Sequence, residues 1–256
     1  MKRDYVTINR DTWNADAPVY ATFAEEQWLL EDPRWGVWHN HESSLHMLPG
    51  DMTGLRAIEL GCGTGYVSYW MTKRGASVTG IDISPDQLAT ARDLAGRHDA
   101  SITFIEGNAE DTGQPDGSFD FAISEYGASI WCEPRAWLSE AHRLLVPGGK
   151  LVFLGNHPLS LICAPLSGAP TEWALHRPYK GMWGADWTEV EFEPSGICFN
   201  LTFADWMALF SEIGFAVKGY KELYAGPDAT GKRGEVPADW AKDYPAEQVW
   251  WLEKAI

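Results

Sequence analysis

Leu55-Arg56-Ala57-Ile58-Glu59-Leu60-Gly61-Cys62-Gly63-Thr64-Gly65 is the stretch on which the fold turns. Residues 55–60 form a short apolar run ending at glycine, as a buried parallel strand does. Residues from about Tyr66 to Arg74 read as a helix. Between the two, glycines in G-x-G-x-G spacing allow a tight turn and leave the backbone open to close approach by a ligand. The spacing narrows the choice of ligand. A dinucleotide loop, G-x-G-x-x-G, would put its third glycine where Tyr66 stands. A Walker A loop would need Gly-Lys-Ser/Thr, which is absent.

Working outward, strand-like and helix-like segments alternate. Ser77–Asp82 is the next strand, and Ser84 is placed to cap a helix with Pro85 at its first position and Gln87 at the capping-box position. That helix runs to about Gly96. Residues 102–107, 118–125 and 150–155 predict three more strands, with a helix opening at Pro134 and Pro147-Gly148-Gly149 as its stop. Its apolar face includes Trp137, Leu138, Ala141, Leu144 and Leu145. Such alternation predicts an α/β fold with a parallel sheet and right-handed crossovers. Residues 1–50 read as helical in part, around Val19 to Leu30. Residues 156–200 are rich in Pro, Gly and Trp and have no clear period. Thr202 then caps a helix that ends at Gly214, and residues 215–225 and 247–255 read as final strands.

The quoted loop, E-L-G-C-G-T-G, resembles motif I of the class I S-adenosylmethionine-dependent methyltransferases, in particular small bacterial members of the type 11-like kind. The resemblance stays in register at Asp82, at Gly107-Asn108-Ala109-Glu110, at Ser118 to Glu125 and at Leu144-Leu145-Val146-Pro147-Gly148-Gly149-Lys150-Leu151. It covers about residues 55–155. It implies a Rossmann-like, seven-stranded, mostly parallel sheet with helices on both faces. It also implies one methyltransferase domain over 1–256: a cap segment at 1–50, a cofactor core at 55–155, an acceptor-side insertion at 156–200, and a C-terminal helix and strands at 201–256. The implied cofactor is S-adenosylmethionine, with S-adenosylhomocysteine as product. Its implied contacts are Tyr20, Glu59, Gly61, Cys62, Gly63, Gly65, Asp82, Ile83, Gln87, Asn108, Ala109, Glu110, Ser124 and Glu125. A carboxylate such as Asp82 accepts two ribose hydroxyls at once. Plainer roles stay open: the glycines as turn formers, Glu59 as a cap, Asp82 as a helix-entry residue, Glu110 as a solvated acid and Ile83 as core.

Composition limits the acceptor. The chain has 256 residues with 20 basic and 36 acidic side chains, a net charge of −16. Nucleic-acid binders rely on basic patches, so this balance argues against nucleic acid and against an anionic membrane surface. No secretory signal or bilayer-long apolar run is visible. Cys62, Cys132, Cys163 and Cys198 form no C-x-x-C pair, and no zinc-like spacing links them or His39, His41 and His46. The expectation is a cytoplasmic enzyme, monomeric or homodimeric, with a small-molecule methyl acceptor and no metal. Competing readings are a cofactor-binding protein without transfer activity, an RNA or protein methyltransferase, and other chemistry on the same cofactor.

Acceptor groups belong at the carboxyl ends of the strands, the ligand crevice of open α/β sheets. His157, after the fifth strand, is the first candidate base because imidazole titrates near neutrality. Tyr126 and Glu125 follow it. A backbone-bonded structural role is the alternative for His157. Arg177 and Lys180 offer contacts to an anionic substrate group, with a solvated surface role as the alternative, and Tyr179 beside them is a further candidate substrate contact. Of the 14 tryptophans only Trp70, Trp131 and Trp137 lie in 55–155. The excess sits where the acceptor should bind, so Trp35, Trp38 and Trp183 are candidates for an aromatic-walled pocket. A second small core is the alternative.

Overall fold

Residues 4–191 and 194–255 are described by a computed structural model. Its central sheet comprises β1 (Arg56–Leu60), β2 (Ser77–Asp82), β3 (Ile102–Glu106), β4 (Phe119–Glu125), β5 (Leu145–Asn156), β6 (Phe215–Leu223) and β7 (Glu247–Lys254). The spatial order is β3-β2-β1-β4-β5-β7-β6. β1 to β5 pair in parallel, while β7 runs antiparallel to both β5 and β6. The order reverses between β1 and β4, and such a reversal opens a crevice at the strand ends.

Both sheet faces are buried, and period-2 alternation assigns the residues to them. Along β5, Leu151 and Phe153 join Trp250 and Leu252 of β7 in one core, and Val152 and Leu154 join Val249 in the other. The first core is covered by α5 (Pro134–Leu144) and α7 (Phe203–Ile213), which supply Trp137, Leu138, Trp206 and Phe210. The second is covered by α2 (Tyr66–Lys73), through Val67, Trp70 and Met71, and by residues 45–52. α3 (Pro85–Arg97) begins as expected: Ser84 Oγ accepts from Gln87 N at 3.1 Å, with Pro85 in the first turn. α7 is capped by Thr202 and stopped by Gly214 in the left-handed region.

Two elements differ from expectation. β5 starts at Leu145 and carries Pro147-Gly148-Gly149 within it, because a register shift between Phe119 and Phe121 absorbs the turn as a bulge. The N-terminal helix α1 spans Tyr5–Trp28, far longer than the stretch around Val19 to Leu30. Its first half buries Asn9 rather than an apolar stripe, so its sequence shows no helical hydrophobic period. Shorter helices complete the fold: α4 (Ala128–Trp131), α6 (Pro158–Cys163) and α8 (Ala238–Ala241). Short antiparallel pairs join Arg34–Trp35 to Asn40–His41, Gly184–Asp186 to Ile197–Phe199, and Lys232–Arg233 to Val236–Pro237. Among the described residues, no helix is long and apolar enough to cross a membrane.

Candidate cofactor and acceptor site

The loop between β1 and α2 is shaped by its glycines. Gly61 has φ +78°, and a Cβ there would lie 2.6 Å from Gly127 Cα, so the loop after β4 seats directly on it. Gly63, at φ +49°, is the opposite case: a Cβ there would meet nothing closer than Gln87 Oε1 at 4.0 Å. Its backbone therefore borders open space. Asp82, at the end of β2, fixes this geometry. Gly63 N donates to its Oδ2 at 2.7 Å and Ser84 N to its Oδ1 at 2.9 Å. Burial raises the Asp82 carboxyl above its ordinary range, against those hydrogen bonds.

The open space is a cavity of about 650 Å³, a size typical of small-molecule sites. Gly61, Cys62, Gly63, Asp82, Ile83, Gln87, Asn108, Ala109 and Glu110 line one part of it, with Glu59, Tyr66, Glu125 and Tyr126 beside them. Gln87 Oε1 is buried there without a hydrogen-bond partner. Much of the remaining lining comes from outside the five parallel strands, including Trp13 and Tyr20 of α1, Ile130 and Trp131 of α4, Leu161 and Ala164 at α6, and Trp187.

α1 forms part of this lining and is tied down by polar contacts along its length. Tyr5 Oη donates to Glu110 at 2.9 Å, and Glu110 also accepts from Glu133 N at 2.7 Å. The buried Asn9 amide donates to the carbonyls of Trp131 and Ile197 and accepts from Ile197 N. Ser84 Oγ donates to Asn14 Oδ1 at 2.7 Å, and Trp28 Nε1 donates to the Thr64 carbonyl at 2.8 Å. The helix is thereby bonded to the glycine loop, the β2 exit and the β3 exit.

The carboxylates at the crevice differ in use. Glu59 is buried, and its Oε2 accepts from Ser68 N at 2.7 Å and Ser68 Oγ at 2.5 Å, which makes it an anchor for α2 as well as a cavity residue. Glu125 accepts from the Tyr66 hydroxyl and from Gly36 N. Glu247, at the start of β7, accepts from Val37 N and from Tyr126 Oη, each at 2.8 Å. Burial pushes the Glu247 carboxyl up to about 7 and raises that of Glu125. Together these two acids hold the Gly36-Val37 turn against the strand ends. Tyr126 sits between them in the left-handed region, at φ +50°, where a non-glycine residue is uncommon.

Several expected contacts lie elsewhere. His157 is off the cavity: its Nδ1 accepts from Leu159 N at 3.0 Å and caps α6, and burial pushes the imidazole down to about 4. Ser124 is fully buried, donating to the Leu60 carbonyl and accepting from Ser129 N. Gly65 packs on the Phe104 ring instead of bordering the cavity. Trp35 is core; its Nε1 donates to the buried Glu42 at 2.7 Å and its ring stands edge-on to Trp70. Trp38 packs against the apolar cluster that holds Trp131 and Trp187 without reaching the lining. Arg177 donates to the carbonyls of Leu161 and Ala164 and stacks 4.7 Å from the Trp187 ring, so it caps the end of α6. Tyr179 accepts from Phe203 N at the start of α7, and Trp183 is half exposed. The aromatic residues that do line the cavity are Tyr5, Trp13, Tyr20, Phe23, Tyr66, Tyr126, Trp131 and Trp187. Most had no local signal, since their place depends on the path of α1 and of the 184–199 segment.

The family described as "Methyltransferase domain" (Methyltransf_11) matches residues 58–153. A demethylmenaquinone methyltransferase of Thermus thermophilus is 36% identical over 105 residues, covering 40% of this chain and 48% of that protein. The chain thus spans about half the length of that relative. A ubiquinone biosynthesis O-methyltransferase of Cereibacter sphaeroides is 28% identical over 200 residues, covering 75% of this chain and 69% of that one. The crystal structure of an S-adenosylmethionine-dependent methyltransferase from Mesorhizobium loti superposes with a TM-score of 0.62 at 28% identity, over 82% of this chain and 95% of that one. The glycine loop, Asp82 and nearly all of the five parallel strands fall within the matched region, and over that region the chain is similar to the S-adenosylmethionine-dependent methyltransferases.

Proposed function

We propose that the chain methylates a small, largely apolar or aromatic acceptor held in the 650 Å³ cavity beside S-adenosylmethionine. The observation that carries this reading is continuity: one cavity is lined by the glycine loop and Asp82 and also by Trp13, Trp131, Leu161 and Trp187.

The residues present fit the cofactor. Gly63 leaves its backbone open to the cavity, Asp82 offers carboxylate oxygens for the ribose hydroxyls, and the Gln87 carbonyl oxygen lacks a donor. Asn108 and Ala109 would take the adenine, and Glu59 and Glu125 suit the ammonium of the methionine part. Bound there, S-adenosylmethionine would supply a sulfonium-borne methyl group for transfer to the acceptor atom, with S-adenosylhomocysteine as the leaving thioether. The chain's own contribution is proximity and alignment under α1. Of the three candidate acid–base groups, Glu125 and Tyr126 lie on this lining, and His157 is withdrawn from that role by its capping bond. The quinone classes named for the Thermus and Cereibacter relatives suit such an aromatic wall. A cavity lined by α1 favours a small molecule over a polymer. The four cysteines are free thiols, in keeping with a reducing cytoplasm.

The test is transfer of radiolabelled methyl from S-adenosylmethionine to a panel of small ring hydroxy acceptors, with bulk tRNA and casein as controls. Label should pass to a panel member only. Label in tRNA or casein alone would contradict the proposal.

A further inference from the structure

We propose that Arg34 and Arg233 form an anion subsite at the mouth of the cavity, which selects acceptors that join an apolar ring body to a carboxylate, sulfonate or phosphate group. This rests on the reading of the cavity as the methyl-transfer site.

The first observation is that these arginines are uncommitted. Every other arginine among the described residues gives its guanidinium to a carboxylate or a main-chain carbonyl, as Arg56 does to Asp120 and Arg74 to Glu42. Among the described residues, the guanidiniums of Arg34 and Arg233 make no hydrogen bond or ion pair, in a chain whose net charge is −16. With acids in such excess, the two free guanidiniums stand out.

The second observation is where they are. Both are solvent-exposed and both line the same cavity, so they stand where its wall meets solvent. They arrive from short hairpins nearly 200 residues apart, Arg34 from the pair 34–41 and Arg233 from the pair 232–237. His39, also on the lining, senses both: burial lowers its imidazole most, then Arg233 and Arg34 lower it further. The nearby acids do not neutralise the pair. Glu235 is held by Lys232 at 2.8 Å, Glu125 accepts from Tyr66 and Gly36 N, and Glu26, also on the lining, forms no ion pair with either arginine among the described residues.

The third observation is what lies within. Trp131, Trp187, Leu161 and Ala164 make the wall apolar, so a charged acceptor group has its partners at the mouth. Guanidinium forks match planar carboxylates and tetrahedral oxyanions. Both hairpins lie outside 58–153, the matched domain, which puts the pair on the part of the chain that would set specificity.

The test compares wild type with Arg34→Gln/Arg233→Gln. Calorimetry with S-adenosylhomocysteine comes first. At saturating S-adenosylhomocysteine, fluorescence titrations then use 8-anilinonaphthalene-1-sulfonate and its uncharged counterpart N-phenyl-1-naphthylamine. The expected result is an about tenfold loss of affinity for the sulfonate in the double variant, with the uncharged probe and S-adenosylhomocysteine unchanged. Equal sulfonate affinity in both proteins would overturn the subsite, as would parallel loss of both probes. A loss confined to S-adenosylhomocysteine would assign the arginines to the cofactor carboxylate and likewise overturn it. Failure of S-adenosylhomocysteine to bind wild type would instead refute the cofactor reading, leaving the probe comparison to be read without it.

Discussion

At the scale of single residues, the glycine loop works by exclusion. A methyl group on Gly61 would collide with the Gly127 backbone at 2.6 Å and force a left-handed φ on alanine. Gly61→Ala should destabilise the protein by about 2–3 kcal/mol, read as a lower urea midpoint; an unchanged midpoint would show that the two loops can move apart. His157 makes the contrasting case. His157→Ala removes the cap of α6 and should cost about 1 kcal/mol while leaving S-adenosylhomocysteine affinity as it is in calorimetry. A large loss of affinity would return the imidazole to the site. The glycines and Asp82 were legible because each stands at the end of a strand written as a short apolar run. The indole of Trp35 and the guanidinium of Arg177 were not, because their partners, Glu42 and the end of α6, are fixed only by the folded backbone.

At the scale of elements, α1 decides how closed the site is. It is held by Tyr5, Asn9, Asn14 and Trp28, each through a hydrogen bond to a different part of the core. Tyr5→Phe removes the bond to Glu110 and leaves a half-buried carboxylate with the Glu133 N donor alone. We expect faster amide exchange in the first two turns of α1, with the exchange of β1 and β4 unchanged. Equal protection in both proteins would show that packing alone holds the helix. The first half of α1 escaped the sequence reading because it docks through polar groups and carries no apolar stripe. The strands were readable for the opposite reason: buried parallel strands are written as short apolar runs between glycines.

At the scale of the whole molecule, buried acids at the crevice couple stability to pH. Glu247 has a folded-state value of about 7 against an ordinary 4.5. The native state therefore binds the extra proton between those values. Its contribution is fully present below pH 4.5 and is lost as pH rises through 7. Glu59, Glu125 and Asp82 are shifted in the same direction by burial. Glu247→Gln should flatten the decline in unfolding free energy between pH 5 and 8 by about 3 kcal/mol, measured by urea titration at each pH; an identical slope in wild type would contradict it. The five parallel strands, and the residues that line the cavity at their ends, followed from motifs in residues 55–155. The proposed acceptor side did not, since Trp13, Trp131 and Trp187 are brought together on the lining by segments without periodicity. The central claim is that Asp82 and the glycine loop hold S-adenosylmethionine in this cavity. Calorimetric titration with S-adenosylhomocysteine tests it most directly: wild type should bind one equivalent and Asp82→Ala should bind about tenfold or more weakly, whereas equal affinity in the two proteins, or no binding to wild type, would contradict it.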